Sequence, residues 1–275
     1  MRTILITGCS SGIGLDAARG LKARGWRVLA TCRAEADADA LRAEGLESFA
    51  LDLASDDSVA AGAAEALARA GDRLEAVFNN GAFAIPGAAE DLPRDALREI
   101  FETNLFGQFD LTNRLLPAMR AAGRGRVVMN SSVLGFAALP WRGAYVATKF
   151  ALEGLSDALR QELRGSGVHV SIIEPGPIGT PFRQKAAPRF ERWIDWRASP
   201  HRAAYESRLM RRLYAPPGGK DRFELPPSAV TAKLIHAIES PRPAARYRVT
   251  TATHLMAGLT RVLPTRALDA LAVRL

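Results

Sequence analysis

The sequence predicts an α/β domain built on a doubly wound parallel sheet with helices on both faces. Three observations carry this expectation. Short apolar, β-branched runs alternate with helical patterns through the first half of the chain. A glycine-rich turn stands between the first such run and the first helical window. The chain has 275 residues with 48% hydrophobic content, enough to bury one sizeable core.

Strands are predicted over residues 3–7, 27–31, 48–51, 76–79, 126–130 and 169–173, whose β-branched character suits strands covered on both faces. Helical windows fall near 13–24, 38–44, 56–70, 93–120 and 144–164. The window at 56–70 is alanine-rich and opens with Asp56, a candidate cap. The window at 144–164 follows Gly143, carries Ala151, Leu155, Ala158 and Leu159 on one stripe, and ends at Gly165. After Pro175 the pattern breaks. Residues 182–225 are aromatic and basic, include Pro216-Pro-Gly-Gly219, and read as an irregular substrate lid. Ser228 is expected to cap a helix to about Ile238, and 245–249 to form a last strand. Residues 253–275 form a C-terminal extension of two short apolar helices split by Pro264. The whole of 1–275 is thus expected to be a single domain with a lid and a helical tail.

The formal charge of +8 is concentrated in the lid, where residues 182–222 hold eleven Lys/Arg against four Asp/Glu. A nucleic-acid partner is not expected, because no binding motif accompanies the charge. A solvated lid is the simplest reading; an anionic substrate or lipid surface is the alternative. Cys9 and Cys32 make no disulfide framework, and no Cys/His spacing suggests a metal. No apolar run approaches the ~18 residues of a membrane span, and nothing resembles a secretion signal, so a cytoplasmic protein is expected. Membrane contact through Leu255, Met256, Leu259, Val262 and Leu263 is possible but not expected.

The chemistry is concentrated in Ser132 and Tyr145-Val-Ala-Thr-Lys149. A tyrosine and a lysine four apart on a helix share a face, where the ammonium is expected to lower the phenol from its ordinary pKa of about 10. A hydroxyl thirteen residues upstream, at a strand end, is placed to bind the same substrate oxygen. Taken alone, Tyr-x-x-x-Lys is an ordinary surface pair. The glycine loop Thr7-Gly8-Cys9-Ser10-Ser11-Gly12-Ile13-Gly14 sharpens it, since it suits close approach of a pyrophosphate to a helix N-terminus. At the end of the second strand, Cys32 stands where an NAD site places a carboxylate, and Arg33 follows. A guanidinium there favours NADP, with Ser10 adding a hydroxyl and Glu35 and Asp37 the neighbouring acids in sequence.

These motifs, with Leu51-Asp52-Leu53, Asn79-Asn80-Gly81, Asn104 and Pro175-Gly-Pro-Ile-Gly-Thr180, resemble the short-chain dehydrogenase/reductase family over nearly all of residues 1–180. Ala30-Thr-Cys-Arg33 and Lys149-Phe-Ala-Leu-Glu-Gly-Leu155 resemble the branch of 17β-hydroxysteroid and retinol dehydrogenases and their bacterial NADP-dependent aldehyde reductase relatives. The resemblance implies a Rossmann-type fold and NADP-dependent interconversion of a carbonyl and an alcohol. It implies catalytic roles for Asn104, Ser132, Tyr145 and Lys149, Asn104 by anchoring a water that links Lys149 to solvent. It implies cofactor contacts from Gly8, Ser10, Ser11, Gly12, Ile13, Gly14, Arg33, Asp52, Leu53, Asn80, Gly81, Tyr145, Lys149, Pro175, Gly176, Ile178 and Thr180. Residues 79–82 depart from the family's Asn-Asn-Ala-Gly by exchanging the last two, which would strain Ala82 if that position needs a positive φ.

Leu134, Trp141, Pro177 and Phe182 are candidate substrate residues, with Phe136, Phe190, Trp193, Trp196 and Tyr205 as further lining. Such a pocket suits a hydrophobic aldehyde, ketone or sterol-like alcohol. Arginines 183, 192 and 197 offer an anionic alternative. Two other readings stand beside the soluble enzyme: a non-catalytic NADP(H)-sensing protein, and a peripheral membrane-associated retinol or steroid dehydrogenase. Helices 93–120 and 144–164 form the usual dimer surface of similar proteins, so a homodimer or homotetramer is expected.

Overall fold

A computed structural model describes residues 2–71, 74–215 and 221–274; Pro216-Pro-Gly-Gly219 lies outside them. Seven parallel strands form one sheet in the order β3-β2-β1-β4-β5-β6-β7. They are β1 Thr3–Ile6, β2 Arg27–Cys32, β3 Glu47–Ala50, β4 Leu74–Asn79, β5 Gly125–Asn130, β6 Val168–Glu174 and β7 Arg246–Arg248. All four residues of β1 are buried, as expected for a central strand covered on both faces. Helices α1 Gly12–Ala23, α2 Glu35–Ala43, α3 Asp56–Ala70, α4 Arg94–Phe101, α5 Gly107–Ala121 and α6 Gly143–Glu162 connect the first six strands. The strand order reverses between β1 and β4, which opens a crevice at the carboxyl ends of the strands.

Two cores flank the sheet. On one side Leu29, Val77, Val127, Leu111, Leu115 and Leu152 pack with α3, α5 and α6. On the other, Ile4, Ile6, Val28, Phe78 and Ile173 meet α1 and α10 Ser228–Glu239. A third cluster joins Phe83, Ile85 and Ile100 to Phe190, Tyr205, Leu209 and Leu213 of the segment after β6.

Several local expectations need correction. The window at 93–120 is interrupted by a π turn at Glu102–Phe106. The extra residue in that turn displaces the helix before α5, and the site uses it below. The α3 cap is Ser55, whose side chain accepts from the Ser58 amide, while Asp56 sits inside the first turn. Pro227 precedes α10, and Ser228 is its first helical residue rather than its cap. The stripe expected on α6 is only partly inward: Leu159 is buried, but Leu155 is 46% exposed and Ala158 is exposed, and the rest of the buried face includes Lys149, Leu152, Glu153 and Ser156.

Residues 182–215 are mostly helical instead of irregular. They contain α7 Ala187–Trp193, α8 Arg202–Ala204, a π turn Tyr205–Leu209 and α9 Met210–Leu213. Each piece is too short to show a helical period in sequence; buried Phe190 and Tyr205 hold them in place. The C-terminal expectation holds as α11 Thr251–Val262 and α12 Thr265–Ala272, with Leu255 and Val262 exposed. Among the described residues, no helix is long and apolar enough to cross a membrane.

The closest approach in the core occurs at Gly107, the first residue of α5, where an added Cβ would lie 1.9 Å from the Leu53 carbonyl oxygen. That contact lets α5 lie directly on the turn after β3. Gly107→Ala is therefore expected to destabilise the protein by about 3 kcal/mol in urea unfolding. An unchanged midpoint would show that the turn can yield.

Candidate active site

The ends of β1, β4 and β5 are tied together by a short polar chain. The Thr7 hydroxyl accepts from the amides of Asn80 and Gly81, both at 2.9 Å. The Asn80 side chain donates to the carbonyls of Thr7 (2.9 Å) and Gly8 (3.2 Å) and accepts from Asn130 Nδ2 at 2.9 Å. Gln108 Nε2 donates to the Gly81 carbonyl at 2.7 Å. Gly8 has a φ of +71°, and a Cβ there would meet Gly81 Cα at 2.7 Å; one on Gly14 would meet the Gly8 carbonyl oxygen at 2.3 Å. The loop therefore closes with backbone against backbone and exposes the N-terminus of α1. Ser11 precedes that helix without capping it through its side chain.

Ala82 is free of the strain expected from the exchanged Gly81-Ala82 pair. The positive-φ residues other than glycine, among those described, are Trp141 and Phe223. Gly81 is needed for a different reason: a Cβ there would lie 2.9 Å from Leu53 Cδ1. Leu53 is buried beneath it. Asp52 closes its own turn, accepting from the Ala54 amide at 3.0 Å. Arg33 is exposed just past β2. The Pro175 carbonyl accepts from Val133 at 2.7 Å, which joins the ends of β5 and β6. Gly176 lies against Thr250, Ile178 bridges to Leu225, and the Thr180 side chain faces Gly12. Segment 175–180 thus borders the glycine loop.

Ser132, Tyr145 and Lys149 converge at the end of β5. Ser132 Oγ accepts from the Leu134 amide at 3.1 Å, which orients the hydroxyl. Tyr145 and Lys149 lie one turn apart on α6, with the Lys149 Nζ 5.6 Å from the phenol ring centroid. The ammonium is buried and donates to the Asn130 carbonyl at 2.7 Å. The expected lowering of the phenol is corrected here. Burial pushes Tyr145 up, and a hydrogen bond with Ser132 acts against that rise. Lys149 moves the opposite way, from 10.5 to about 8, because burial disfavours its charge more than Glu153 supports it.

Asn104 sits on the π turn and is fully buried. It accepts from the Phe83 amide (3.0 Å) and donates to the Phe83 carbonyl (2.8 Å) and Thr148 Oγ1 (3.3 Å). It is no surface asparagine: it ties the strand-β4 loop to α6, one residue before Lys149. Sequence inspection did not find this partner, nor the roles of Asn130 and Gln108, and it named Thr7 in the glycine loop without foreseeing its bonds to Asn80 and Gly81. It also missed a charged network behind the site, where Arg246 contacts Glu153 (2.9 Å), Asp157 (2.8 Å) and Glu174 (2.9 Å). Nothing local marks these residues; the sheet order brings them together.

Of the candidate substrate residues, Phe182 packs edge-on to Tyr145, with ring centroids 5.5 Å apart. Leu134 follows Ser132, and Pro177 accepts from Leu225. Trp141 (φ +65°) meets Tyr205 edge-on, with ring centroids 5.2 Å apart. Phe190 and Tyr205 are fully buried and pack the core rather than line a cleft. Arg183 pairs with Asp221, Arg192 lies 3.3 Å from Glu99 and 4.6 Å over Trp193, and Arg197 lies 4.4 Å over Trp196. These three arginines are engaged locally.

The sequence profile of the short chain dehydrogenase family matches residues 2–190. The chain belongs to the short-chain dehydrogenase family. It is 42% identical over 268 residues to the uncharacterized oxidoreductase YbbO of Escherichia coli K12, covering 98% of this chain and 93% of that protein. It is 35% identical over 194 residues to human retinol dehydrogenase 8, covering 67% of this chain and 61% of that one. Among solved structures, a short-chain dehydrogenase from Streptomyces avermitilis superposes with a TM-score of 0.76 at 30% identity, covering 94% and 95% of the two chains. A metagenomic short-chain oxidoreductase in complex with NADP gives 0.59 at 34% identity, covering 64% of this chain and 81% of that one. This short-chain dehydrogenase is an oxidoreductase of a family that binds nicotinamide cofactors. Its loop fits such a group: the crowded glycines leave no room for side chains, and the α1 N-terminus is left open to an anion.

The sign of the Lys149 shift predicts a pH dependence. The ammonium persists below about 8 and is lost above it, well before its ordinary 10.5. If the charge assists the oxidoreductase reaction, kcat/KM falls as pH rises through about 8. A profile flat through that range would show that the charge of Lys149 is not required.

Proposed function

We propose that this protein is an NADP-dependent oxidoreductase that interconverts an aldehyde or ketone with its alcohol, working as a reductase on a hydrophobic substrate. The observation that carries the reading is the convergence of Ser132, Tyr145 and Lys149 beside a glycine loop able to receive a dinucleotide. A bound nicotinamide dinucleotide supplies hydride to the carbonyl carbon. Gly8, Ser10, Ser11, Gly12, Ile13 and Gly14 would hold its phosphates, Asp52 would hold the adenine edge with Leu53 beside it, and Asn80, Gly81, Pro175, Gly176, Ile178 and Thr180 would serve the nicotinamide half.

Tyr145 gives its proton to the substrate oxygen. Burial, by raising the phenol, keeps that proton on the oxygen until the substrate oxygen becomes basic. Ser132 donates a hydrogen bond to the same oxygen as charge develops on it. Lys149 stabilises the phenolate left behind. Asn104 holds the Phe83 loop and α6 in register, so that water reaches Lys149 along a fixed path. Cys32 in place of a carboxylate, with Arg33 beside it, supports NADP over NAD. Phe182 against Tyr145 supports an apolar substrate, as do the relatives named as retinol dehydrogenases. The outward Phe106, Phe150 and Leu155 support a homodimer or homotetramer, and the reading places the enzyme in the cytoplasm.

Tyr145→Phe is expected to lower kcat by about 10³-fold while NADPH still binds; near-normal turnover would refute the proton-donor role. A panel of retinal, medium-chain aldehydes, steroids and acidic ketones, followed by NADPH oxidation, tests the substrate class. Turnover confined to the acidic ketones would overturn the apolar assignment.

A further inference from the structure

One lid cation reaches the cofactor end of the cleft. Lys185, in the turn Gln184–Ala186 before α7, donates through Nζ to Ser11 Oγ at 2.7 Å and Ser10 Oγ at 3.3 Å. Two neutral hydroxyls are weak partners for an ammonium with three protons to give. Neither Lys185 nor Arg33 has a carboxylate within ion-pair distance among the described residues, and both are exposed. The carboxylate of Glu35 is taken up by Arg42.

The surroundings locate this amine further. Burial pushes the Cys32 thiol up to about 11 and Asp37 adds to the rise, while Lys185 acts against it from nearby. Lys185 therefore stands between the glycine loop and the end of β2, where this fold holds the ribose 2′ position. Arg189, one turn on and hydrogen-bonded to the Lys185 carbonyl, is close enough to Arg33 to feel its charge as a repulsion. The pyrophosphate, by contrast, is served by the α1 N-terminus.

We propose that Lys185 is a lid-borne ligand for the 2′-phosphate of NADP(H), completing with Ser10 and Arg33 a site drawn from three separate parts of the chain. The inference rests on the NADP reading above and adds a residue from outside the dinucleotide motifs. It gives part of the lid's basic charge a specific anion. It also ties cofactor choice to the lid, since the 2′-phosphate gives Lys185 and Arg33 a shared anion, whereas NAD leaves both cations without one.

The test is binding of NADPH, NADH, 2′,5′-ADP and 5′-AMP to the full chain by calorimetry, for wild type, Lys185→Ala and Lys185→Arg. Lys185→Ala is expected to weaken NADPH and 2′,5′-ADP about tenfold, to change NADH and 5′-AMP by less than about twofold, and to flatten the salt dependence of NADPH binding. Lys185→Arg is expected to retain NADPH affinity. Unchanged NADH binding also shows that the variant is folded. Equal weakening of NADPH and NADH would move Lys185 to the pyrophosphate or to lid packing and overturn the proposal. So would no effect on either cofactor. A wild type that fails to prefer NADPH would remove the NADP reading itself; a wild-type preference that survives Lys185→Ala would remove only the role of Lys185.

Discussion

A buried ammonium sets the terms for the rest of this structure. Lys149 is 1% exposed, and a cation in such a place is costly unless it is hydrogen-bonded. Its anchor is the Asn130 carbonyl, at the end of β5. The side chain of the same asparagine donates to Asn80, which in turn donates to Thr7 and Gly8. One residue thus joins the Tyr145–Lys149 end of α6 to the glycine loop after β1. Moving any of the three strands would loosen both at once.

Behind this chain lies a second layer of charge. Glu153 and Glu174 are raised chiefly by burial, and Arg246 faces both. Asp157 completes the arrangement and holds Arg246 firmly in its charged form. Strand β7 therefore does more than extend the sheet. It brings a counter-charge to the acidic residues that α6 and β6 place near one another, of which Glu153 lies one turn from Lys149.

The segment after β6 is fastened through Tyr205 and Ser199. Tyr205 donates to Asp91 at 2.6 Å and accepts from the Ala88 amide at 2.8 Å, and Ser199 donates to the same carboxylate at 2.7 Å. Trp141 packs on Tyr205 in a left-handed conformation unusual for so large a residue, held there by the surrounding contacts. With this end secured to the loop before α4, the beginning of the segment can lay Phe182 against Tyr145 and Lys185 against the glycine loop.

The amino-acid sequence alone determined the parallel sheet, the glycine loop and the Ser132, Tyr145, Lys149 set, because each rests on local periodicity or short spacing. It also marked the last strand and both C-terminal helices. It misjudged what depends on long-range packing: the face of α6 that is buried, the π turn that breaks 93–120, and the helices of 182–215. The direction of the Tyr145 shift belongs here too, since it is set by burial, a property of the fold that spacing does not reveal. Only tertiary structure brought Asn130, Arg246, Asp91 and Lys185 to their partners. Their contacts join residues far apart in sequence, and sequence spacing carries no information about such pairs until the strand order fixes which ends meet.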